Sequence, residues 1–340
     1  MEKINRFRKS FWKMVQESKR IVVIGHMNPD DDSISSMLAT KWLVSERFSE
    51  KEIRMVCYSE KTDEWNYFKG FEEIEFVDEE NNEVNRTDLL IMLDGSTFDK
   101  FSKNPKKLRK MTKKSICIDH HKNRSDVFDL VFVSASFSAT AEGIYRLLVE
   151  DGQKVSRRLA EIFLLGIMGD TGNFAYLNKK TVGVLEIVQK LISENNLSIQ
   201  KLQGMYQQYP KRILNLIGEM ISGTRYIEQN GNWPALQISL LGKKFVDKGK
   251  YSDEEISRAS HIYMTDQLLS ILGFNWGVVI TPRAAGFCRL SFRSLPNVVN
   301  VRKVAENFKG GGHDLASGGT VEVSDPEKAL SIVLKWLRDN

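Results

Sequence analysis

Three carboxylates and one imidazole stand within seven residues near the N-terminus of the chain. His26, Asp30 and Asp32 belong to the turn after the apolar run 21–24, and Pro29 disfavours helix at the residue before it. Open α/β sheets place their sites in such loops, at the carboxyl ends of strands. Since imidazole and carboxylate suit manganese, zinc or iron, these side chains could converge on a divalent metal ion. The alternative is an acidic solvated turn in which the histidine has no chemical role.

The same residue types recur at the ends of other predicted elements. Asp94 ends an apolar run that is typical of a strand, and a further run of this kind ends in Asp119, His120 and His121. A helical pattern leads to Asp170, in a turn bracketed by glycines. Parallel strands would bring such ends to one edge of a sheet, where several carboxylates repel one another and need cations. The sequence therefore predicts a site for two divalent metal ions.

A glycine stretch in the last part of the chain predicts a second site, for an anion. Consecutive glycines can bring backbone N–H groups against an anion, and a histidine directly after them adds a donor. An arginine at the end of the predicted strand 286–292 adds a guanidinium that binds phosphate through two N–H groups. The alternative is a flexible turn beside a surface arginine. The candidate substrate-binding residues are Arg293, Ser294, Gly310, Gly311, Gly312 and His313.

The elements that must position these residues change character along the chain. Strand and helix patterns alternate in the first part, which indicates a doubly wound, mainly parallel α/β sheet. The later strands and helices predict a smaller α+β domain. We therefore predict a metal-binding catalytic domain over 1–195, a helical linker over 196–227 and a substrate-binding domain over 228–340.

Composition narrows the class of protein. The 340 residues are 41% hydrophobic and 27% charged, which is a globular profile. A net charge of +5 suits a phosphate-bearing ligand but is far from that of a polybasic chain. The basic run 103–114 has no pattern of stacking aromatics, so no long nucleic-acid track is expected. The cysteines are dispersed, and the sequence has neither an apolar run of membrane length nor the apolar core of a signal peptide. These features predict a cytoplasmic protein without membrane association.

Taken in order, these motifs resemble the Asp-His-His (DHH) phosphoesterases. The order and spacing of residues 26–32, Asp94, 119–121, 170–172 and 310–313 match that family closely, over most of the chain. The standalone two-domain form with Gly-Gly-Gly-His is most similar to the nanoRNase and pAp phosphatase group of NrnA type. Family II pyrophosphatases lack the glycine motif, RecJ-type exonucleases are larger, and membrane-bound c-di-AMP phosphodiesterases carry extra segments.

The resemblance implies a manganese-dependent hydrolase that cleaves short oligonucleotides to mononucleotides, removes the 3′-phosphate of pAp, or does both. His121 would face the scissile phosphate and Asp119 would orient the metal ligands. The resemblance leaves homodimer formation open. His26, Asp30 and Asp94 would hold the first manganese ion. The second would be held by Asp32, Asp94, His120 and Asp170, so that Asp94 bridges the two.

Several positions depart from the family pattern. Asp31 stands where the loop usually has glycine, Ser35 begins a Ser-Ser pair where Gly-Ser is usual, and Leu295 follows the Arg-Ser pair where a basic residue is common. These substitutions motivate one alternative, a nucleotide-binding regulator with a degenerate site. A second alternative keeps the metal centre but takes c-di-AMP or pApA as the substrate, and the residues leave that choice open.

Overall fold

A six-stranded parallel sheet is the frame of the N-terminal unit, Met1–Gln208. The computed structural model describes residues 2–77, 87–121, 128–206, 208–228 and 232–340. The strands of this sheet are β1 (Arg20–Gly25), β2 (Glu52–Cys57), β3 (Ile74–Phe76), β4 (Thr87–Leu93), β5 (Thr112–Asp119) and β6 (Leu130–Val133). They lie side by side in the order β3-β2-β1-β4-β5-β6, and every neighbouring pair is parallel.

The central strands carry unbroken runs of buried apolar residues because both faces of the sheet are covered. Ile21 and Val23 of β1 face the larger core, whereas Val22 and Ile24 face a smaller core on the other side. Parallel sheets covered on both faces have such continuous apolar runs. The helices of the unit are α1 (Glu2–Gln16), α2 (Asp31–Arg47), α3 (Pro105–Lys110), α4 (Thr140–Leu148), α5 (Arg157–Asp170), α6 (Val184–Asn195) and α7 (Ile199–Tyr206).

The order of the strands determines where a site can form. From β1 the chain moves outward through β2 and β3, and from β4 it moves outward in the opposite direction through β5 and β6. Connections that leave neighbouring strands in opposite directions open a crevice at the carboxyl ends of those strands. The turn after β1 carries His26, and Asp94 directly follows β4, so both lie at this reversal.

The C-terminal unit, Tyr209–Asn340, contains a mixed sheet. Its strands are β7 (Thr224–Ile227), β8 (Leu236–Leu240), β9 (Trp276–Pro282), β10 (Cys288–Ser294), β11 (Gly311–Gly312) and β12 (Ala316–Val321). They follow the order β11-β12-β10-β9-β8-β7, in which only the β8–β9 pair of the described strands is parallel.

Helices cover both faces of this second sheet. Those of the unit are α8 (Lys211–Ser222), α9 (Lys243–Gly249), α10 (Asp253–Asp266), α11 (Val301–Glu306) and α12 (Pro326–Asp339). Val304 of α11 and Val333 of α12 pack with the strands in one core. Leu216 of α8 and Tyr263 of α10 belong to the core on the other face, which includes Val279 of β9.

The predicted fold class is confirmed: a parallel α/β sheet precedes a smaller mixed α+β unit. The segment predicted as a linker, 196–227, is shared between the units. Its helix α7 contributes Leu202 to the core of the first unit, and its helix α8 contributes Leu216 to a core of the second. Among the described helices, none is long and apolar enough to cross a membrane.

Candidate active site

The predicted metal ligands lie together at the reversal point of the parallel sheet. His26 comes from the turn after β1, Asp94 from the end of β4, and His120 from the end of β5. Asp30 caps α2, where its side chain accepts a hydrogen bond of 3.0 Å from the Ser33 N–H. The remaining two candidates come from helices: Asp32 lies in the first turn of α2, and Asp170 is the last residue of α5.

Their donor atoms form two groups, of which the first contains Asp94, and a third group joins Asp94 and His120 to His121. The ligand atoms of His26, Asp30 and Asp94 lie within 4.8 Å of one another, and those of Asp32, His120 and Asp170 do so too. Oδ2 of Asp94 lies 3.3 Å from Nε2 of His26, whereas Oδ1 lies 3.6 Å from Nε2 of His120. One carboxylate therefore faces both groups, each with a different oxygen, which is the geometry of a bridging ligand.

Burial makes this concentration of negative charge costly without a cation. Burial raises the pKa of Asp32 well above its ordinary value, and the charges of Asp94 and Asp170 raise it further. Burial also raises the pKa of Asp170, which lies at the unfavourable, negative end of a helix dipole. Burial opposes the charged form of His26, but its hydrogen bonds to Asp30 and Asp94 raise its pKa to about 11. The raised pKa favours the positively charged form of His26 within the cluster.

The N-terminus of α4 supports two of these carboxylates from behind. Oδ2 of Asp32 accepts a hydrogen bond of 2.6 Å from the Thr140 N–H, and Oδ1 accepts one of 2.8 Å from the Ala141 N–H. The Thr140 hydroxyl donates to Oδ1 of Asp94 at 3.0 Å. The positive end of the helix dipole points at the same carboxylates. Thr140 was missed by the sequence reasoning.

Asp119 and His121 form a hydrogen-bonded pair beside the cluster. The buried Asp119 accepts hydrogen bonds at Oδ1 from the His121 N–H, at 3.1 Å, and from Nδ1 of the same imidazole, at 2.7 Å. The side chain of His121 is 58% exposed, and Nδ1 lies 3.7 Å from Oδ1 of Asp94. The Asp119 hydrogen bond raises the pKa of His121. The carboxylate therefore fixes the orientation of a ring that solvent and substrate can reach.

The C-terminal unit contains a cleft of about 390 Å³. On β10, Arg289, Ser291 and Arg293 line this cleft, because the residues between them enter the core. Arg283, from the turn after β9, lines it as well. The other lining residues come from the glycine-rich strands and from α10: Gly311, Gly312, Ala316, Ser317, Gly318, Ser257, Ser260, His261 and Met264.

The cleft is built for an anion. None of the described residues that line it is acidic, and three of them are arginines. Arg283 is buried, and its Nη1 donates to the Asp253 carbonyl at 2.9 Å, which fixes the side chain. Arg289 extends over Gly318, since Nη2 lies 3.8 Å from the position that a Cβ there would take. Guanidinium groups and serine hydroxyls are suitable partners for phosphate oxygens.

The predicted substrate-binding residues divide into two sets. Arg293, Gly311 and Gly312 line the cleft, whereas Ser294, Gly310 and His313 are not among its described lining residues. Ser294 is buried and accepts a hydrogen bond of 3.1 Å from the Val299 N–H. A Cβ on Gly310 would lie 2.0 Å from the Gly318 carbonyl, so this glycine permits close strand packing. His313 is exposed.

Sequence reasoning missed Arg283 and Arg289. Arg289 could have been found from alternation, because it precedes Arg293 by four residues on a predicted strand and so shares its face. No comparable pattern marks Arg283 or the α10 side chains.

Both parts of the chain match known domains. Residues 20–167 match the DHH family, N-terminal domain, and residues 244–339 match the DHHA1 domain. The chain thus contains a DHH N-terminal domain and a DHHA1 domain.

Curated relatives of this DHH protein share most of its length. The bifunctional oligoribonuclease and PAP phosphatase NrnA of Bacillus subtilis is 28% identical over 309 residues, which cover 88% of this chain and 89% of that one. The "Probable bifunctional oligoribonuclease and PAP phosphatase NrnA" of Streptococcus mutans is 25% identical over 299 residues, 88% of each chain. An exopolyphosphatase-related protein of Bacteroides fragilis has the same fold, with a TM-score of 0.82, 20% identity, and coverage of 98% and 97%.

The donor set of this DHH protein fits a divalent metal ion. Carboxylates and imidazoles suit such ions, and the clustered carboxylates have too little positive charge around them unless one binds. The two faces of Asp94 can serve two neighbouring positions. The candidate ligands of the N-terminal unit lie within reach of one another.

Proposed function

We propose that this protein is a cytoplasmic phosphoesterase that hydrolyses short oligonucleotides to mononucleotides and removes the 3′-phosphate of pAp, with two manganese ions bound. The observation that carries the proposal is Asp94, whose two oxygens face two separate donor groups at 3.3 and 3.6 Å. The names of the Bacillus and Streptococcus relatives support the substrate class.

In this proposal the residues of the acidic cluster are shared out between two metal ions. When bound, divalent ions lower the pKa of water and stabilise charge on the phosphoryl oxygens. Asp32 and Asp94 keep their orientation through the N-terminus of α4. The first ion would lie with His26, Asp30 and Asp94, and the second with Asp32, Asp94, His120 and Asp170.

His121 contacts the substrate in this proposal. Asp119 occupies Nδ1 of the ring, which leaves Nε2 to hydrogen-bond a phosphoryl oxygen at the scissile phosphate. The ring is exposed enough for that contact, and the buried carboxylate beneath it prevents it from turning. Orientation of this kind lowers the entropy cost of reaching the transition state.

The cleft of the C-terminal unit captures a terminal phosphate and its sugar. Arg289 and Arg293 supply charge, and the backbone at Gly311 and Gly312 can approach the anion because no side chain intervenes. His313 directly follows these glycines and is exposed, so its imidazole can add a donor. A cleft of about 390 Å³ holds a nucleotide-sized group, so short substrates suit it.

A substrate panel tests the proposal. The full chain, stripped of metal and reloaded with manganese, would be given pAp, pApA, c-di-AMP, a trinucleotide, a pentanucleotide and a long single strand. We expect mononucleotides from the short linear substrates and AMP from pAp, with slow turnover of the long strand. Sedimentation of the same preparation reports whether the chain is a monomer or a homodimer.

Each other outcome selects a different conclusion. Preferred turnover of c-di-AMP or pApA would replace the substrate assignment and keep the metal chemistry. Product no greater than in the metal-free control, together with intact nucleotide binding, would reveal a regulator. Elemental analysis of the protein as purified would identify manganese, zinc or iron.

A further inference from the structure

Asp31 is an acidic side chain of the metal loop that the proposed ligand set does not use. It is the first residue of α2, between Asp30 and Asp32, and its side chain packs on Gly169 of α5. A Cβ on Gly169 would lie 2.6 Å from Cβ of Asp31 and 2.9 Å from its Oδ2. Because real Cβ atoms do not approach so closely, the two helices touch here without spare room.

Tyr67 holds the Asp31 side chain in this position. The Tyr67 hydroxyl donates a hydrogen bond to Oδ1 of Asp31. The ring of Tyr67 packs on the large core and lies 4.9 Å, centroid to centroid, from the buried ring of Phe68. With Oδ1 anchored to a fixed ring, the Cβ and Oδ2 of Asp31 remain directed at Gly169.

The same pair of helices repeats this contact one turn farther along. Ser35 of α2 donates through Oγ to the Ile162 carbonyl at 2.8 Å. A Cβ on Gly166 would lie 2.5 Å from Cβ of Ser35. Each α2 side chain thus faces a glycine of α5, and the separation and register of the two helices are set by these contacts. Asp31 and Ser35 are also two of the positions that depart from the usual family pattern.

We propose that Asp31 is a positioning residue: held by Tyr67 and packed on Gly169, it sets the distance between the start of α2 and the end of α5. Asp32 lies in the first turn of α2, and Asp170 directly follows Gly169. The donor group of Asp32, His120 and Asp170 therefore keeps its spacing through a contact that involves none of its members. The inference rests on the proposed function only in taking this group as a metal site.

A double-mutant cycle tests this inference on the full chain. Asp31→Gly, Gly169→Ala and the double variant would be stripped of metal and titrated with manganese by calorimetry. Gly169→Ala should weaken manganese binding about tenfold, the range known for residues that orient metal ligands. Asp31→Gly should weaken it less, and the double variant should bind more tightly than Gly169→Ala because space returns.

Conservative variants separate shape from charge. Asp31→Asn keeps the shape and can still accept from Tyr67, so it should bind manganese nearly as wild type does. Tyr67→Phe should weaken binding in the same direction as Asp31→Gly. The matched control is Gly204→Ala in α7, where a Cβ would meet nothing within 4 Å, and its affinity should be unchanged.

Three results would overturn the positioning role: an additive cycle, unchanged affinity in both Asp31→Gly and Tyr67→Phe, or a loss in Asp31→Asn as large as in Asp31→Gly. The Asp31 and Tyr67 arms decide the matter even where Gly169→Ala does not fold. A wild-type chain that binds no divalent ion would instead overturn the proposed function, so the two failures are distinct.

Discussion

The acidic cluster of the N-terminal unit and the basic cleft of the C-terminal unit are built in opposite ways. The cluster draws side chains from the ends of separate strands and helices, and Asp32 and Asp94 within it are buried. The cleft takes two of its arginines from one strand and leaves Arg289 exposed. Buried charge must be paired or bound to metal, whereas exposed charge is screened by solvent. The cluster therefore tolerates less change than the cleft.

This difference also determines how each site responds to loss of one residue. In the cluster Asp94 faces both donor groups, so in the proposed function its removal would affect both metal positions. Three arginines line the cleft, so loss of one leaves positive charge behind. Variants of the two sites should consequently differ in metal content as well as in turnover.

The largest effect is expected at Asp94. Asp94→Ala removes the shared carboxylate, so metal content and turnover should fall together. The loss of turnover should exceed the roughly 100-fold that a residue behind the ligands can cost. Elemental analysis and the pAp assay measure the two quantities.

The control for that variant is Asp88→Ala, in the same unit. Asp88 precedes the apolar part of β4 and pairs with Lys113 at 2.8 Å, remote from the strand ends that carry the cluster. It should keep wild-type metal content. Metal retention by Asp94→Ala would contradict the bridging role.

A smaller effect is expected in the cleft. Arg289→Ala and Arg293→Ala should each raise KM about tenfold, with little change in kcat and none in metal content, because each removes binding to the ground state and transition state alike. The double variant should lose less than the two losses combined, since the proposed function has both residues bind the same phosphate. Steady-state kinetics with pAp measures this.

Two comparison variants sharpen the test of the cleft. Arg302→Ala removes an arginine that pairs with Glu306 on the surface of α11 and should leave KM unchanged. His313→Ala should raise KM less than either cleft arginine, because His313 is exposed and is not among the described lining residues. Loss of metal in His313→Ala would contradict the proposal that the cluster binds metal and the cleft binds substrate.

The smallest effect is expected at Thr140. Thr140→Val removes the hydroxyl that donates to Asp94 but keeps the backbone N–H groups that bind Asp32. Manganese affinity should fall by about tenfold or less, as for other residues that orient ligands. Thr140→Ser keeps the hydroxyl and should bind manganese as wild type does. Equal calorimetric affinities for the two variants would exclude a role for this hydrogen bond.

The local pattern of apolar and polar residues was sufficient to predict the parallel sheet of the N-terminal unit. The runs that became β1, β4 and β5 are continuously apolar because both faces of the sheet are covered, and each run ends in polar residues. Strand ends in a parallel sheet share an edge, so the ligand candidates could be grouped from the sequence alone. The histidines and aspartates of the site could also be recognised as candidate metal ligands from their residue types alone.

Contacts between distant segments could not be predicted in this way. The bonds from the start of α4 to Asp32 and Asp94 span 108, 109 and 46 residues, and two of the three donors are backbone N–H groups that have no residue-type signature. Periodicity shows which face of a helix is apolar but not which helix it meets. For that reason the packing of Asp31 on Gly169 and the position of Arg283 emerged only from the structure.

The backbone conformation of Asp94 lowers the stability of the folded chain. Its φ of 64° lies in the left-handed region, which costs a non-glycine residue roughly 1–2 kcal/mol. The folded chain thus carries strain, along with buried acidic groups, at the carboxylate that the proposed metal site shares. In the proposed function an ion that binds only the folded state would offset this cost by an amount that grows with the logarithm of its free concentration. If the proposed site binds metal in this way, scarcity of metal would lower the amount of folded protein that survives proteolysis as well as the turnover.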